Sequence, residues 1–206
     1  MSTDGRVSAV GVREAVLAAP LRLEALLVSS GARGRVVRRT GMGPDRARAA
    51  ARELTLRSAG ALLVVGFCGG LDDASVPGEV IVAEQVYAAA DEGHDGTPVS
   101  CALRDELIMR LTGRGLKVRS GSIVCVSRLA LGERRAQLHE GGAIAVDMES
   151  VWLAGAAEQR PFGVVRVVLD SPSHELMRPG AVFGALRAAR ALRRVSAALN
   201  DMVQGD

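Results

Sequence analysis

The sequence is poor in aromatic residues and nearly without lysine. Phenylalanine, tyrosine and tryptophan together make up 2% of its 206 residues, too few for the stacking platforms that bind single-stranded nucleic acid. Lys117 is the only lysine, and the remaining bases are arginines. They are scattered, without a run of five or six like charges, and against 23 acidic residues they leave a net charge of only +3. That is neither a nucleic-acid footprint nor a charged tail. Cysteine is scarce too. Cys68, Cys101 and Cys125 are widely spaced, with no CxxC and no Cys/His pair at zinc-finger distance, so no disulfide scaffold and no metal site is expected. The three read as small apolar fillers, with an iron–sulfur cluster as the rival reading. No apolar stretch reaches the roughly 18 residues of a membrane helix. Residues 1–13 lack the apolar core of a secretory signal. The expectation is a cytoplasmic protein with no integral membrane segment.

What the chain does have is an alternation of short apolar runs with helical patterns, which predicts parallel strands joined by helices in a single α/β domain over residues 1–206. Strands are expected at 15–19, 35–40, 61–65, 79–86, 118–126, 143–146 and 162–169. Helices are expected at 21–28, 46–57 (with Pro44 as a first helical residue), 101–111, 132–140, 150–158 and 181–202. In the last of these Val182, Leu186, Ala189, Leu192, Val195 and Leu199 form the apolar stripe, opposite Arg187, Arg190 and Arg194. Residues 66–70 read as a glycine-rich turn, and the stretch 88–100, with Gly93, Gly96 and Pro98, as a mobile loop.

Three features sit at the carboxyl ends of strands, where open α/β sheets place their sites. They are Gly66-Phe67-Cys68-Gly69-Gly70, Asp147-Met148-Glu149 and Asp170. One carboxylate ending a strand is more often a helix cap than a functional group; two beside a glycine turn favour function. G-x-x-G-G is not a dinucleotide fingerprint, and P-loop and G-x-S-x-G patterns are missing. Gly41-Met42-Gly43 before a helix start, with Arg38, Arg39 and Arg46 nearby, is a candidate anion nest, with solvated surface arginines as the alternative. His139 and His174 show no nucleophile partner. Asp91, Glu92, His94 and Asp95 lack metal-ligand spacing.

The order of these pieces resembles the purine nucleoside phosphorylase and methylthioadenosine/S-adenosylhomocysteine nucleosidase superfamily. The resemblance is carried by T-G-M-G-P-D-R-A-R-A-A (40–50), V-G-F-C-G-G-L (65–71), V-P-G-E-V-I-V (76–82), A-I-A-V-D-M-E-S (143–150) and P-F-G-V-V-R-V-V-L-D (161–170). The D-M-E-S form most resembles the hopanoid-associated branch, which implies release of adenine from adenosylhopane. Methylthioadenosine, S-adenosylhomocysteine and futalosine-like nucleosides are the other substrates it suggests.

The resemblance implies a mixed central sheet, a distorted barrel flanked by helices, assembled as a homo-oligomer. It also implies cleavage of the N-glycosidic bond of an adenosine-type nucleoside without metal or organic cofactor. Asp170 matches the general acid that protonates or hydrogen-bonds purine N7. Glu149 matches the carboxylate on the ribose hydroxyls and Met148 the residue packed on the sugar, with Asp147 beside them. Phe67, Cys68 and Gly69 match the segment along base and sugar, and Glu24 the glutamate that orients an attacking water. Gly41, Gly43 and Arg46 would hold phosphate if phosphate were the nucleophile. Leu169 stands where the family commonly has serine, and Cys125-Val126-Ser127-Arg128-Leu129 where nucleosidases carry S-G-D-A-F. A nucleoside-binding relative without turnover is the rival class.

Overall fold

The computed structural model describes residues 15–32, 37–55, 60–93, 96–157, 160–174 and 181–200. The expected element ends at 35–36, 56–57, 158 and 201–202, together with His94 and Asp95, lie outside them.

Strand β1 (Ala15–Ala19) is stopped by Pro20, which has no N–H to give to a ladder, and leads into α1 (Arg22–Gly31). Then follow β2 (Val37–Arg39), α2 (Pro44–Thr55), β3 (Ala61–Gly70), β4 (Val80–Ala88) and the short β5 (Val99–Ser100). The chain continues through α3 (Arg104–Gly113), β6 (Val118–Cys125), α4 (Glu133–Glu140), β7 (Ala143–Asp147) and α5 (Ser150–Ala154), which tightens into a 3-10 turn, Gly155–Ala157. It ends with β8 (Phe162–Asp170) and α6 (Ala181–Asn200).

The eight strands form one mixed sheet in the order β2-β1-β3-β7-β6-β4-β5, and β8 closes it by pairing with both β3 and β4. The closed ring β3-β7-β6-β4-β8 is a distorted barrel, with β2-β1 and β5 as extensions. Pairings β1–β3, β3–β8, β4–β6 and β6–β7 are parallel, whereas β3–β7 and β4–β8 are antiparallel. The continuous apolar runs have their cause in burial on both faces. Along β3, Leu62 and Val64 enter one core with α2 and α5, while Leu63 and Val65 enter the other with α1, α3 and α6.

Two local expectations change. Residues 66–70 are not a turn: β3 runs on through them to Gly70, paired with β8 as far as Gly69 and with β7 at Gly69 and Gly70. Their glycines serve close approach rather than reversal. Within the stretch expected as a mobile loop, Ala88 ends β4 and Val99–Ser100 form β5, antiparallel to β4, while Asp91 is ion-paired with Arg134. On α6, Val182 and Leu186 face outward, and the buried stripe runs through Gly184, Ala188, Leu192, Val195 and Leu199. A Cβ on Gly184 would come within 3.2 Å of Pro77, so the first turn of α6 packs with its smallest residue inward.

Helices α1 and α6 cross at Gly31. A Cβ there would lie 2.8 Å from the Arg193 carbonyl oxygen and 2.9 Å from the Ala197 nitrogen, backbone atoms that cannot swing aside. Ser196 Oγ donates to the Val28 carbonyl at the same crossing. Replacing Gly31 by alanine is expected to force the helices apart and cost about 1–3 kcal/mol of stability, read as a lower denaturant midpoint.

Candidate active site

The carboxyl ends of β1, β3, β7 and β8 open into one cleft with about 640 Å³ of free space, its open mouth included. Glu24, Phe67, Cys68, Gly69, Asp147, Met148, Glu149 and Asp170, all singled out in the sequence, line it together. They are brought there from chain positions up to 146 residues apart by the parallel β1–β3–β8 pairing and by the contact of β7 with the end of β3.

The floor is a buried charge cluster organised by Arg166, which sequence reading missed. Arg166 is on β8, shares a face with Val164 and Val168, and is fully buried. Its Nε donates to Asp147 Oδ2 at 2.8 Å, its Nη2 lies 2.6 Å from the same oxygen, and Nη2 also reaches Ser150 Oγ at 3.0 Å and Glu149 Oε2 at 3.5 Å. Asp147 is saturated. Besides Arg166 it accepts from Cys125 Sγ at 2.8 Å, from the Glu149 and Ser150 amides at 3.2 Å each, and from the Ser150 hydroxyl. Its carboxylate therefore works as the anchor of the cluster and the lid on the first turn of α5. Burial works against its ionisation, yet Arg166 and the hydrogen bonds hold its pKa below the usual carboxylate range.

Glu149 and Glu24 stand on the other side of that balance. One cation faces three carboxylates, and Asp147 takes most of it. Burial pushes Glu149 from an ordinary 4.5 up to about 7, with Arg166 pulling down and the Asp147 charge pushing up. Its Oε1 accepts from the Gly43 amide at 3.1 Å. Burial likewise raises Glu24, against the pull of Arg166. Glu24 is fixed by two short bonds, from the Phe67 amide to Oε1 and from the Leu21 amide to Oε2, both 2.6 Å. Gly66 makes the cluster possible, since a Cβ there would lie 2.6 Å from Glu24 Oε1 and 2.7 Å from Arg166 Nη1. That Nη1 is buried with no hydrogen-bond partner among the described residues.

Asp170 lies at the opposite wall, following a bulge that leaves Leu169 without a partner on β3. Bulges beside sites re-aim the next side chain. Its Oδ2 is 2.5 Å from Nη2 of Arg135, a buried residue of α4. No sequence feature announced Arg135, because E-R-R-A-Q-L-H-E reads as a solvated helix. Arg166 did leave a trace: a lone charge inside the apolar run F-G-V-V-R-V-V-L-D.

The remaining candidates fall into place around this frame. Gly41 and Gly43 have positive φ (82° and 90°), as a nest requires, and the carboxylate of Glu149 occupies the Gly43 amide. Arg46 is exposed, folded against Gly41, and does not line the cleft. Where an aromatic was missing from the sequence, Val126, Leu129 and Ala130 form an aliphatic wall, and among the described residues Phe67 is the only aromatic lining the cleft. His174, for which the sequence shows no nucleophile partner, has Ser171 and Ser173 hydroxyls at 3.3 and 3.0 Å, in a turn after β8. The three cysteines are buried and free. Among the described residues no group of three or more His, Cys, Asp or Glu side chains is placed to hold a metal ion, and no helix is long and apolar enough to cross a membrane.

A raised Glu149 carries a sign for stability. The contribution of its protonated form is complete below about pH 4.5 and is lost as pH rises through about 7. Wild-type protein should therefore lose stability between about pH 5 and 8. Glu149→Gln should lose less, since only Glu24 keeps the same sign; parallel slopes of denaturant midpoint against pH would refute the assignment.

Comparison with known proteins agrees with this architecture. A structure of Helicobacter pylori 5′-methylthioadenosine/S-adenosylhomocysteine nucleosidase superposes with a TM-score of 0.77 at 15% identity, covering 94% of this chain and 98% of that one. Futalosine hydrolase of H. pylori superposes with 0.76 at 14%, covering 93% and 97%. The Neisseria meningitidis 5′-methylthioadenosine/S-adenosylhomocysteine nucleosidase, in complex with methylthio-immucillin-A, gives 0.75 at 18%, covering 92% and 99%. In sequence, AMP nucleosidase of Escherichia coli is 26% identical over 176 residues, 75% of this chain; the chain spans about a third (36%) of that relative's length. Residues 22–200 match the family described as the Phosphorylase superfamily, and the chain belongs to that superfamily.

Proposed function

We propose that the protein cleaves the N-glycosidic bond of an adenosine-type nucleoside and releases the base, with water as nucleophile. The observation that carries this reading is the convergence of Glu24, Glu149 and Asp170 on one cleft from three separate parts of the chain. Cleavage of such a bond passes through a sugar with oxocarbenium character. Glu149, backed by Arg166, would hold the ribose hydroxyls and favour the developing positive charge. Met148 would pack on the sugar, and Phe67, Cys68 and Gly69 would lie along base and sugar. Asp170 would protonate or hydrogen-bond the purine at N7, since purine is a poor leaving group as an anion.

Water is favoured over phosphate by the two sides of the cluster. Glu24 is a buried acceptor beside the unpartnered donor Arg166 Nη1, a pair that suits a small neutral nucleophile. On the other side, the Gly43 amide already serves Glu149, and Arg46 stands outside the cleft.

The 5′ side points to an apolar substituent. Leu21 and Met42 line the cleft and are still 38% and 49% exposed, so the mouth is greasy. This suits adenosylhopane as the substrate, ahead of methylthioadenosine, S-adenosylhomocysteine or futalosine.

The test is adenine release from a panel of adenosine derivatives, adenosylhopane included, with and without phosphate. Release without phosphate, giving free ribose, is expected. A strict need for phosphate, with ribose 1-phosphate as product, would replace water in the scheme. No release from any member would leave a binding protein without turnover. Asp170→Asn is expected to slow release by about 10²–10⁴-fold, and an unchanged rate would remove Asp170 from the reaction.

A further inference from the structure

We infer that the outward face of α6, with the stripe of α1 beside it, docks this protein on an anionic lipid bilayer. The residues of that face do not line the cleft, and docking does not depend on which nucleoside the cleft takes.

Helix α6 carries four arginines, Arg187, Arg190, Arg193 and Arg194, and no acidic residue. Its exposed positions, first Val182 and last Ala197, all fall within one arc of about 140° at about 100° per residue. The linear sequence scatters the arginines; the helix collects them on one side. Ahead of them on the same arc stand Val182, Phe183 and Leu186, all exposed. Of the three phenylalanines, Phe162 is buried, Phe67 lines the cleft, and Phe183 is 73% exposed. Single apolar residues on a surface are ordinary, whereas a group of them marks an interaction site.

Beyond this apolar end the arginines border a groove against α1. Arg190, Arg193 and Arg194 line it together with Ser30 and Gly31, and among the described residues no acid does. Arg194 spends Nη2 on the carbonyls of Arg114 and Gly115 at 3.4 and 3.2 Å. The side chains of Arg187, Arg190 and Arg193 meet no carboxylate among the described residues. On α1, Ser30 shares a stripe with Leu23 and Leu26, seven and four positions earlier, and both leucines are exposed. Apolar side chains thus lead to the arginines along both helices.

The chemistry of this surface selects its occupant. Guanidinium groups suit phosphate oxygens, which they can hold with paired hydrogen bonds. A nucleic acid or a free phosphate would satisfy the arginines and leave Phe183 and its neighbours in water. A second copy related by a two-fold would lay an acid-free face against itself, arginine toward arginine. A bilayer with anionic headgroups meets both halves, taking the arginines at the phosphates and the apolar side chains among the upper acyl carbons.

The test is flotation of the full chain with vesicles of phosphatidylcholine alone and of equal parts phosphatidylcholine and phosphatidylglycerol. Binding is expected to the anionic vesicles only. It should weaken as salt rises from about 0.1 to about 1 M, since screening then shortens from about 10 to about 3 Å. At about fivefold per arginine near a charged surface, the double variant Arg190→Gln, Arg193→Gln should bind about 25-fold more weakly. Phe183→Ser should bind at least about fivefold more weakly. All three positions are exposed, and wild-type circular dichroism of the variants makes lost binding a surface effect. No binding to anionic vesicles, or binding that both variants retain in full, would overturn the inference. So would a lipid-free dimer that Phe183→Ser turns into a monomer in sedimentation velocity, which would give the face to a second copy. An RNA oligonucleotide that displaces the vesicles at equal phosphate, with Phe183→Ser without effect, would give it to nucleic acid instead.

Discussion

Arg166 is the charge on which the site depends. A guanidinium in the interior of a barrel is tolerable only if paired and hydrogen-bonded, and this one gathers Asp147, Glu149 and Ser150 around itself while its field reaches Glu24. The carboxylates that would touch a ligand are held in place because the cation needs them. Replacing one of them with a neutral residue disturbs an electrostatic balance as well as a contact. The same balance explains why chemically similar acids behave differently. Asp147 monopolises the cation and stays ionised, whereas Glu149 and Glu24, buried with only a share of it, are pushed toward their neutral forms.

Much of this was legible in the sequence. Strands β1, β3 and β8 announced themselves because both their faces are buried, which writes uninterrupted apolar runs, and because Pro20 and Asp170 mark the ends of β1 and β8. Glu24, Phe67, Gly69, Glu149 and Asp170, which line the cleft, were readable as motifs in a fixed order. What could not be read was pairing across the fold. Arg135 lies on a short polar helix whose composition is that of a surface element, and only the approach of α4 to the end of β8 turns it inward. Residues 66–70 look like a turn because glycine usually marks one; here bareness serves tight packing within a strand. On α6 the apolar stripe was misphased at its first turn, where closeness to Pro77 favours glycine over the bulkier Val182 and Leu186.

The two arginines divide the cleft between them. Arg166 holds the acids on the side proposed for sugar and nucleophile, and Arg135 holds the acid on the side proposed for the base. The wall between is aliphatic where an aromatic is common, so the base would be held by its edge more than by its face. A cleft with few stacking partners must take its specificity from directed hydrogen bonds, and those depend on groups that hold their angles. Both arginines are suited to that, each being tied to several partners at once.

The bare edge of β3 also has a consequence for how this sequence can drift. Gly66 is in contact range of Glu24 and Arg166, Gly69 of Arg135 and Asp170, and Gly70 of Ser75. A methyl group at 66 or 70 collides with a partner elsewhere in the chain, and one at 69 crowds Arg135, Val146 and Asp170 at 3.2–3.4 Å. The strand and the charges it shelters change best as sets: a side chain gained at 66 calls for a shorter or absent acid or arginine opposite it, and one gained at 69 for room at 135 or 170. Positions 24, 66 and 166 form one such set, and 69, 135 and 170 another. Each should show strong epistasis, with single substitutions harmful and compensated pairs tolerated.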